Sequence, residues 1–196
     1  GPDNSTLNQY NFKNKNLFLG HNRLAIQDLD TKANQPMSSK RYEIVFNGEI
    51  YNHMELRQEL NFDFTTHSDT ETLLALFEKF DIERSISKLI GMFAIALFDK
   101  KEEKLYLIRD RIGIKPLYWT LQDGEFAFAS ELKGFASHLK KYTNDKALIQ
   151  FMSLGYIPHT NSYYKNIHKL EAGHYLVFDG NSTKIHKYWN LPSKKI

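Results

Sequence analysis

Asn47 and Gly48 close an apolar, strand-like run, Tyr42 to Phe46, and lead through Glu49 into a helix start at Asn52. A carboxamide beside a bare backbone N–H can aim two neutral donors at one point, the arrangement an acyl-transfer site uses to hold a developing oxyanion. Asn-Gly is also the strongest short hairpin signal, so a plain turn is the competing expectation for the pair taken alone. Arg23 follows Leu19-Gly20-His21 at the end of a second strand-like run. Its guanidinium fork suits a carboxylate held by two parallel hydrogen bonds, although a surface cation on a strand end has the same signature. Asp69 lies in Ser68-Asp69-Thr70-Glu71, a helix start, where the helix dipole favours an anion. It reads either as a structural acid of that helix or as the counter-ion of a substrate ammonium. One guanidinium, one carboxylate and an oxyanion pair together describe a pocket for an α-amino acid whose side chain ends in an acyl group.

Other groups carry less. The stretch Arg109-Asp110-Arg111-Ile112-Gly113-Ile114-Lys115-Pro116-Leu117-Tyr118 sets Arg109, Arg111 and Lys115 around one acid and reads as an ion-paired loop bracing a sheet. Ser130-Glu131-Leu132-Lys133 reads as a helix start with a plain cap. The histidines show no paired ligand spacing, so no metal site is expected. A glycine-rich phosphate loop is missing too, which leaves these residues without a site for ATP. The sequence contains no cysteine, so it supplies no disulfide, no thiolate metal ligand and no cysteine nucleophile.

The elements that must position these residues follow from patterning. The first twenty residues are polar and Asn-rich, and read as an exposed loop entering a strand at Leu17-Phe18-Leu19. A second loop spans Thr31 to Lys40. Strand Tyr42 to Phe46 precedes a helix capped by Asn52, with Glu55 at capping-box spacing, that runs to about Leu60. Behind Ser68, a helix aligns Leu73, Leu74, Leu76 and Phe77 on one apolar stripe. A short helix at Ile82 to Leu89, a strand at Met92 to Phe98, a charged hairpin tip and a partner strand at Leu105 to Ile108 come next. Glu125 to Ala129 is a further strand. Helices are expected near Glu131 to His138 and Lys146 to Leu154, and a final strand pair at His174 to Asp179 and Lys184 to Trp189. Strands, then helices, then strands joined by hairpins make an α+β fold with antiparallel sheets.

Composition narrows the class. Hydrophobic residues make up 41% of 196, enough for one packed domain, and the net charge is only +3 with basic residues scattered in pairs such as Lys40-Arg41 and Lys140-Lys141. No basic stripe suits nucleic acid. No apolar run reaches the roughly 20 residues that cross a bilayer. A cytoplasmic protein is the expectation.

The motifs Gly1-Pro2-Asp3, His21 to Ile26, Phe46 to Asn52, Ser68 to Glu71, Gly91-Met92-Phe93-Ala94 and Arg109 to Tyr118 occur in this order. Together they resemble the class II glutamine amidotransferase domain, the N-terminal-nucleophile glutaminase, and in particular that of glutamine-hydrolysing asparagine synthetases. Gly155-Tyr156-Ile157-Pro158, Lys169 to Tyr175 and Tyr188-Trp189 resemble the passage from glutaminase to synthetase domain in that family. The resemblance implies a four-layer αββα sandwich, with residues 1–165 as the glutaminase domain and 166–196 as its end and a linker. It implies that Arg23 binds the glutamine carboxylate and Asp69 its ammonium. Asn47 and the Gly48 N–H would form the oxyanion hole, and Leu24, Ile26 and Glu49 would line the pocket. The implied partners are glutamine and a C-terminal synthetase domain of the same polypeptide, where ATP and magnesium would act on aspartate or a related carboxylate. A homodimer is compatible with it.

One departure stands out. The family attacks glutamine with a cysteine at the mature N-terminus, whereas this sequence begins at Gly1-Pro2-Asp3, a motif the family carries downstream of that cysteine. The expectation is an N-terminally truncated domain, lacking its first strand and nucleophile, inactive alone and reduced in stability. The alternatives are a non-catalytic glutaminase-like scaffold on an ammonia- or amine-using synthetase, and an amidotransferase for a surface-sugar carboxylate.

Overall fold

Residues 91 to 99, Gly-Met-Phe-Ala-Ile-Ala-Leu-Phe-Asp, form a strand that is buried on both faces, and this sets the layering of the molecule. The computed structural model describes residues 3–25, 28–135, 137 and 139–192. In chain order its elements begin with β1 (Asn4–Phe12), β2 (Lys15–Arg23), β3 (Met37–Ser38), β4 (Tyr42–Ile50), α1 (His53–Leu60), α2 (Asp69–Lys79) and α3 (Ile82–Lys88). They continue with β5 (Gly91–Asp99), β6 (Lys104–Arg109), β7 (Tyr118–Gln122), β8 (Glu125–Ala129), α4 (Asp145–Leu154), β9 (His168–Lys169), β10 (His174–Phe178) and β11 (Thr183–Lys187). A six-stranded antiparallel sheet, ordered β11-β10-β6-β5-β4-β3, forms the centre.

Alternate residues of the central strands serve two cores, as the two-residue period of a strand requires. Ile44, Phe46, Phe93, Ile95, Leu97 and Ile108 face the helices, where Leu73, Leu74, Leu76, Phe77 and Ile86 cover them. Val45, Ala94, Ala96, Phe98, Leu105, Leu107, Leu176 and Phe178 face the other way. There they meet Phe12 and Leu19 of the β1–β2 hairpin, and Trp119, Phe126 and Phe128 of a three-stranded sheet ordered β8-β7-β9. Phe178 joins these parts, with its ring 4.3 Å from that of Phe126 and 5.6 Å from that of Phe12. A third cluster of Phe135, Leu139 and Ile167 packs on the outer side of β7 and β8 through Tyr118, Ala127 and Ala129. The succession is therefore helices, six-stranded sheet, then the hairpin and the three-stranded sheet, with the Phe135 cluster on the outer side.

Four expectations are corrected. The Asn-rich start is no loop but the hairpin β1–β2, closed by Lys13 and Asn14, both at positive φ. Its half-buried face is polar and internally bonded, Thr6 to Asn4 at 2.6 Å and Tyr10 to Glu43 at 3.0 Å, so hydropathy does not reveal it. The Asn52 side chain does not cap α1; it accepts from Ile90 N and donates to Lys88 O, tying α1 to the end of α3. The helix expected over Glu131 to His138 is, among the described residues, a single 3-10 turn at Leu132–Gly134; Ala136 and His138 lie outside them. The Arg109–Tyr118 loop braces the sheet, but through backbone bonds rather than ion pairs. Asp110 is fully buried and accepts from the N–H groups of Phe93, Ile112, Gly113, Ile114 and Lys115. Arg109 donates to the carbonyls of Lys115, Leu170 and Gly113, and Arg111 to that of Ser87.

Candidate functional site

The pair Asn47-Gly48 lies inside β4, opposite Ala94 and Phe93 of β5, and not at its end. The hairpin-turn alternative is therefore excluded, and the strand continues through Glu49 to Ile50. Only glycine fits at position 48. Its φ is +151°, and a Cβ there would stand 2.0 Å from the Met92 carbonyl oxygen. That positive φ takes one peptide out of regular strand geometry next to the Asn47 carboxamide. Asn47 Nδ2 donates to Ser130 Oγ at 3.3 Å, just past the end of β8.

Arg23 is the last residue of β2 and is buried. Its Nη1 donates to the Asp30 carbonyl at 3.0 Å and to Asn34 Oδ1 at 2.8 Å, and its Nη2 donates to the Asp28 carbonyl. Each of these acceptors is neutral. The guanidinium is aimed by the 28–34 loop, and among the described residues no carboxylate forms a direct ion pair with it, although its charge reaches that of Asp28.

Asp69 opens α2 and is 5% exposed. Its Oδ2 accepts from Ile50 N at 3.0 Å, which joins the start of α2 to the end of β4. Burial pushes its pKa up from 3.8 to about 6, against the pull of backbone N–H donors at Ile50 and Thr70, and Glu49 adds to the rise. Ser68 caps the helix through Thr70 N, as the sequence pattern implies. Among the described residues no cationic side chain forms an ion pair with Asp69.

A hub that the sequence did not reveal ties the three together. Gln35, buried, accepts from Phe46 N at 2.5 Å beside Asn47, and donates to Thr70 Oγ1 at 3.3 Å beside Asp69. Asp28, whose carbonyl holds Arg23, also accepts from His67 N at 2.8 Å just before α2. The 28–35 segment thus contacts the flank of every charged or polar site residue. Its residue types carry no motif, and only the unpaired donor of a β4 edge position could have pointed to it. Glu49 is half-buried on β4 and Leu24 is exposed beyond Arg23. Ile26 lies outside the described residues. A guanidinium and a carboxylate, each without a side-chain counter-ion, joined through a strand that carries two neutral donors, can hold a zwitterionic amino acid and polarise an acyl oxygen on its side chain.

The family model for the glutamine amidotransferase domain matches residues 1–189. A Methanocaldococcus jannaschii protein bearing the name of a glutamine-hydrolysing asparagine synthetase is 40% identical over 217 residues, which cover 100% of this chain and 42% of that protein. The glutamine-hydrolysing asparagine synthetase 3 of Bacillus subtilis is 34% identical over 206 residues, which cover 100% of this chain and 32% of that protein. The chain thus spans well under half the length of these curated relatives. Among solved structures, the glutamine phosphoribosylpyrophosphate amidotransferase from B. subtilis, complexed with ADP and GMP, matches with a TM-score of 0.61 at 21% identity. That match covers 87% of this chain and 34% of the other, and it shows that the two share a fold.

Proposed function

Since this chain belongs to the glutamine amidotransferase domain family, we propose that it is the glutaminase part of a cytoplasmic, ATP-dependent asparagine synthetase-type enzyme. Glutamine is hydrolysed to glutamate and ammonia, and the ammonia amidates aspartate or a related carboxylate. The amidation belongs to a synthetase domain outside these residues, where ATP and magnesium would activate the acceptor. The names of the relatives, and the fraction of their length this chain spans, support that division.

One observation carries the reading: a buried carboxylate and a buried guanidinium, neither with a side-chain counter-ion, bracket a glycine-distorted strand segment. Arg23 holds the α-carboxylate of glutamine, and Asp69, ionised, holds its α-ammonium. The side-chain carbonyl oxygen then lies against Asn47 Nδ2 and the Gly48 N–H. A thiolate adds to that carbonyl carbon, the oxygen takes the negative charge, and the carbon–nitrogen bond breaks as the leaving nitrogen is protonated to ammonia. Water releases glutamate from the thioester. The sequence holds no cysteine, so the thiol is supplied from outside these residues, and the chain by itself is inactive.

The absence of cysteine also favours a second reading, a glutaminase-like scaffold whose synthetase uses free ammonia. Replacing Asp69 with Ala in the full-length protein separates the two. A glutaminase loses glutamine-dependent amide synthesis while ammonia-dependent synthesis persists. Equal loss of both reactions removes Asp69 from the glutamine site, and a wild-type protein without glutamine-dependent turnover is the scaffold.

A further inference from the structure

Asn47 can stabilise an oxyanion only if its carboxamide shows nitrogen, not oxygen, to the substrate. The two ends of an amide have nearly the same shape, and a half-turn about the terminal torsion exchanges donor for acceptor. The plane of the group must also be held at the right place and angle. Its one side-chain hydrogen bond among the described residues is to Ser130, at 3.3 Å. Sequence patterning casts Ser130 as a helix cap; its actual place is in the bend between β8 and the 3-10 turn.

We propose that Ser130 is the positioning residue of the oxyanion pair. Its Oγ accepts one Nδ2 proton of Asn47, which holds the amide plane in place and leaves the second proton for the substrate oxygen. The inference rests on the glutaminase reading above. Ser130 is suited to the task because its own position is fixed. Ala129, the residue before it, pairs with Tyr118 of β7. Ala129 and Leu132 on either side pack on Phe135, Leu139 and Ile167. Asn47 belongs to the central sheet and Ser130 to the edge of the second, so this one bond registers the two layers at the reacting centre. Oxyanion stabilisation depends on donors already oriented before charge develops, and a loosely held amide forfeits part of it.

The test uses the full-length protein and follows glutamate release for Ser130→Ala, Ser130→Thr and Ser130→Val, with Asn47→Ala alone and combined with Ser130→Ala. Ammonia-dependent synthesis reports folding. Ser130→Ala and Ser130→Val should each lower kcat about tenfold with KM for glutamine close to wild type, since the charged contacts of the substrate are untouched. Ser130→Thr, isosteric with Val but bearing the hydroxyl, should retain most of kcat. On the Asn47→Ala background, Ser130→Ala should cost nothing further, because the group it positions is gone. Wild-type kcat in Ser130→Val beside a crippled Asn47→Ala overturns the inference alone. A raised KM at unchanged kcat, or full additivity of the two variants, overturns it as well. If Asn47→Ala itself leaves kcat untouched, the glutaminase reading of the pair fails and the inference falls with it.

Discussion

At the scale of single residues, a carboxylate held in the interior without a direct ion pair is in an unfavourable state, and Asp69 is such a group, with the Arg57 guanidinium bonded to the neighbouring Ser68 carbonyl instead. Its pKa of about 6 follows from lost hydration that three backbone donors only partly replace. The sign of the consequence is fixed. A folded-state pKa above the unfolded value of 3.8 means that protonation stabilises the fold, and that this stability is lost as pH rises through 6. At pH 8, Asp69→Asn, which keeps an acceptor for Ile50 N, should be at least as stable as the native protein, by up to roughly 3 kcal/mol from the size of the shift. The same substitution should abolish recognition of a substrate ammonium. In the full-length native protein, kcat/KM for glutamine should fall on acidification with an inflection near pH 6, where Asp69 becomes neutral. That inflection should vanish in Asp69→Asn; its survival there would assign the titration to another group. The sequence marks Asp69 through its helix-start motif, and Arg23, Asn47 and Gly48 through theirs. It gives no sign of Gln35 or of the Asn47–Ser130 bond, because both join segments far apart in the chain.

At the scale of elements, β4 illustrates what patterning misses. Hydropathy ends the strand at Phe46 because Asn-Gly normally signals a turn. The ladder with β5 nevertheless continues to Ile50 opposite Gly91, and a Cβ on Gly91 would come 2.1 Å from the Glu49 carbonyl. Two glycines on facing strands thus let the backbones approach where side chains would keep them apart. Strand β1 escaped for the reverse reason, since its inward positions before Phe12 are Asn, Thr and Tyr rather than aliphatic. Helices α2 and α3 and strands β5 and β6 were legible within a residue or two, because caps and apolar runs act locally. The loop after β6 depends on one side chain. Asp110→Ala would take the carboxylate acceptor from five N–H groups, the buried one of Phe93 and the part-buried ones of Ile112, Gly113, Ile114 and Lys115. With about 1–3 kcal/mol for each unpaired group and partial recovery by relaxation, a net loss of at least about 3 kcal/mol is expected. Urea denaturation reads it, and a loss under 1 kcal/mol would mean that the loop is held by other contacts.

At the scale of the whole molecule, the candidate site draws its residues from three layers. Arg23 comes from the hairpin layer, Asn47 and Gly48 from the central sheet, and Asp69 from the helix layer. Gln35 and Asp28 bind those layers through buried or short hydrogen bonds. The four layers were implied by the family resemblance and not by patterning; the burial of β5 on both faces is their physical reason, since it demands cover on each face. The split of the second layer into β1–β2 and β8-β7-β9 was not readable, since strand order depends on contacts between residues distant in sequence. Convergence of the layers on one amino acid is the central claim, and a crystal structure of the full-length protein with L-glutamate, the hydrolysis product, tests it most directly. The account predicts the α-carboxylate on Arg23, the ammonium on Asp69, and a side-chain oxygen between Asn47 Nδ2 and the Gly48 N–H. Glutamate bound with its charges away from Arg23 and Asp69, or bound at another site, would contradict it.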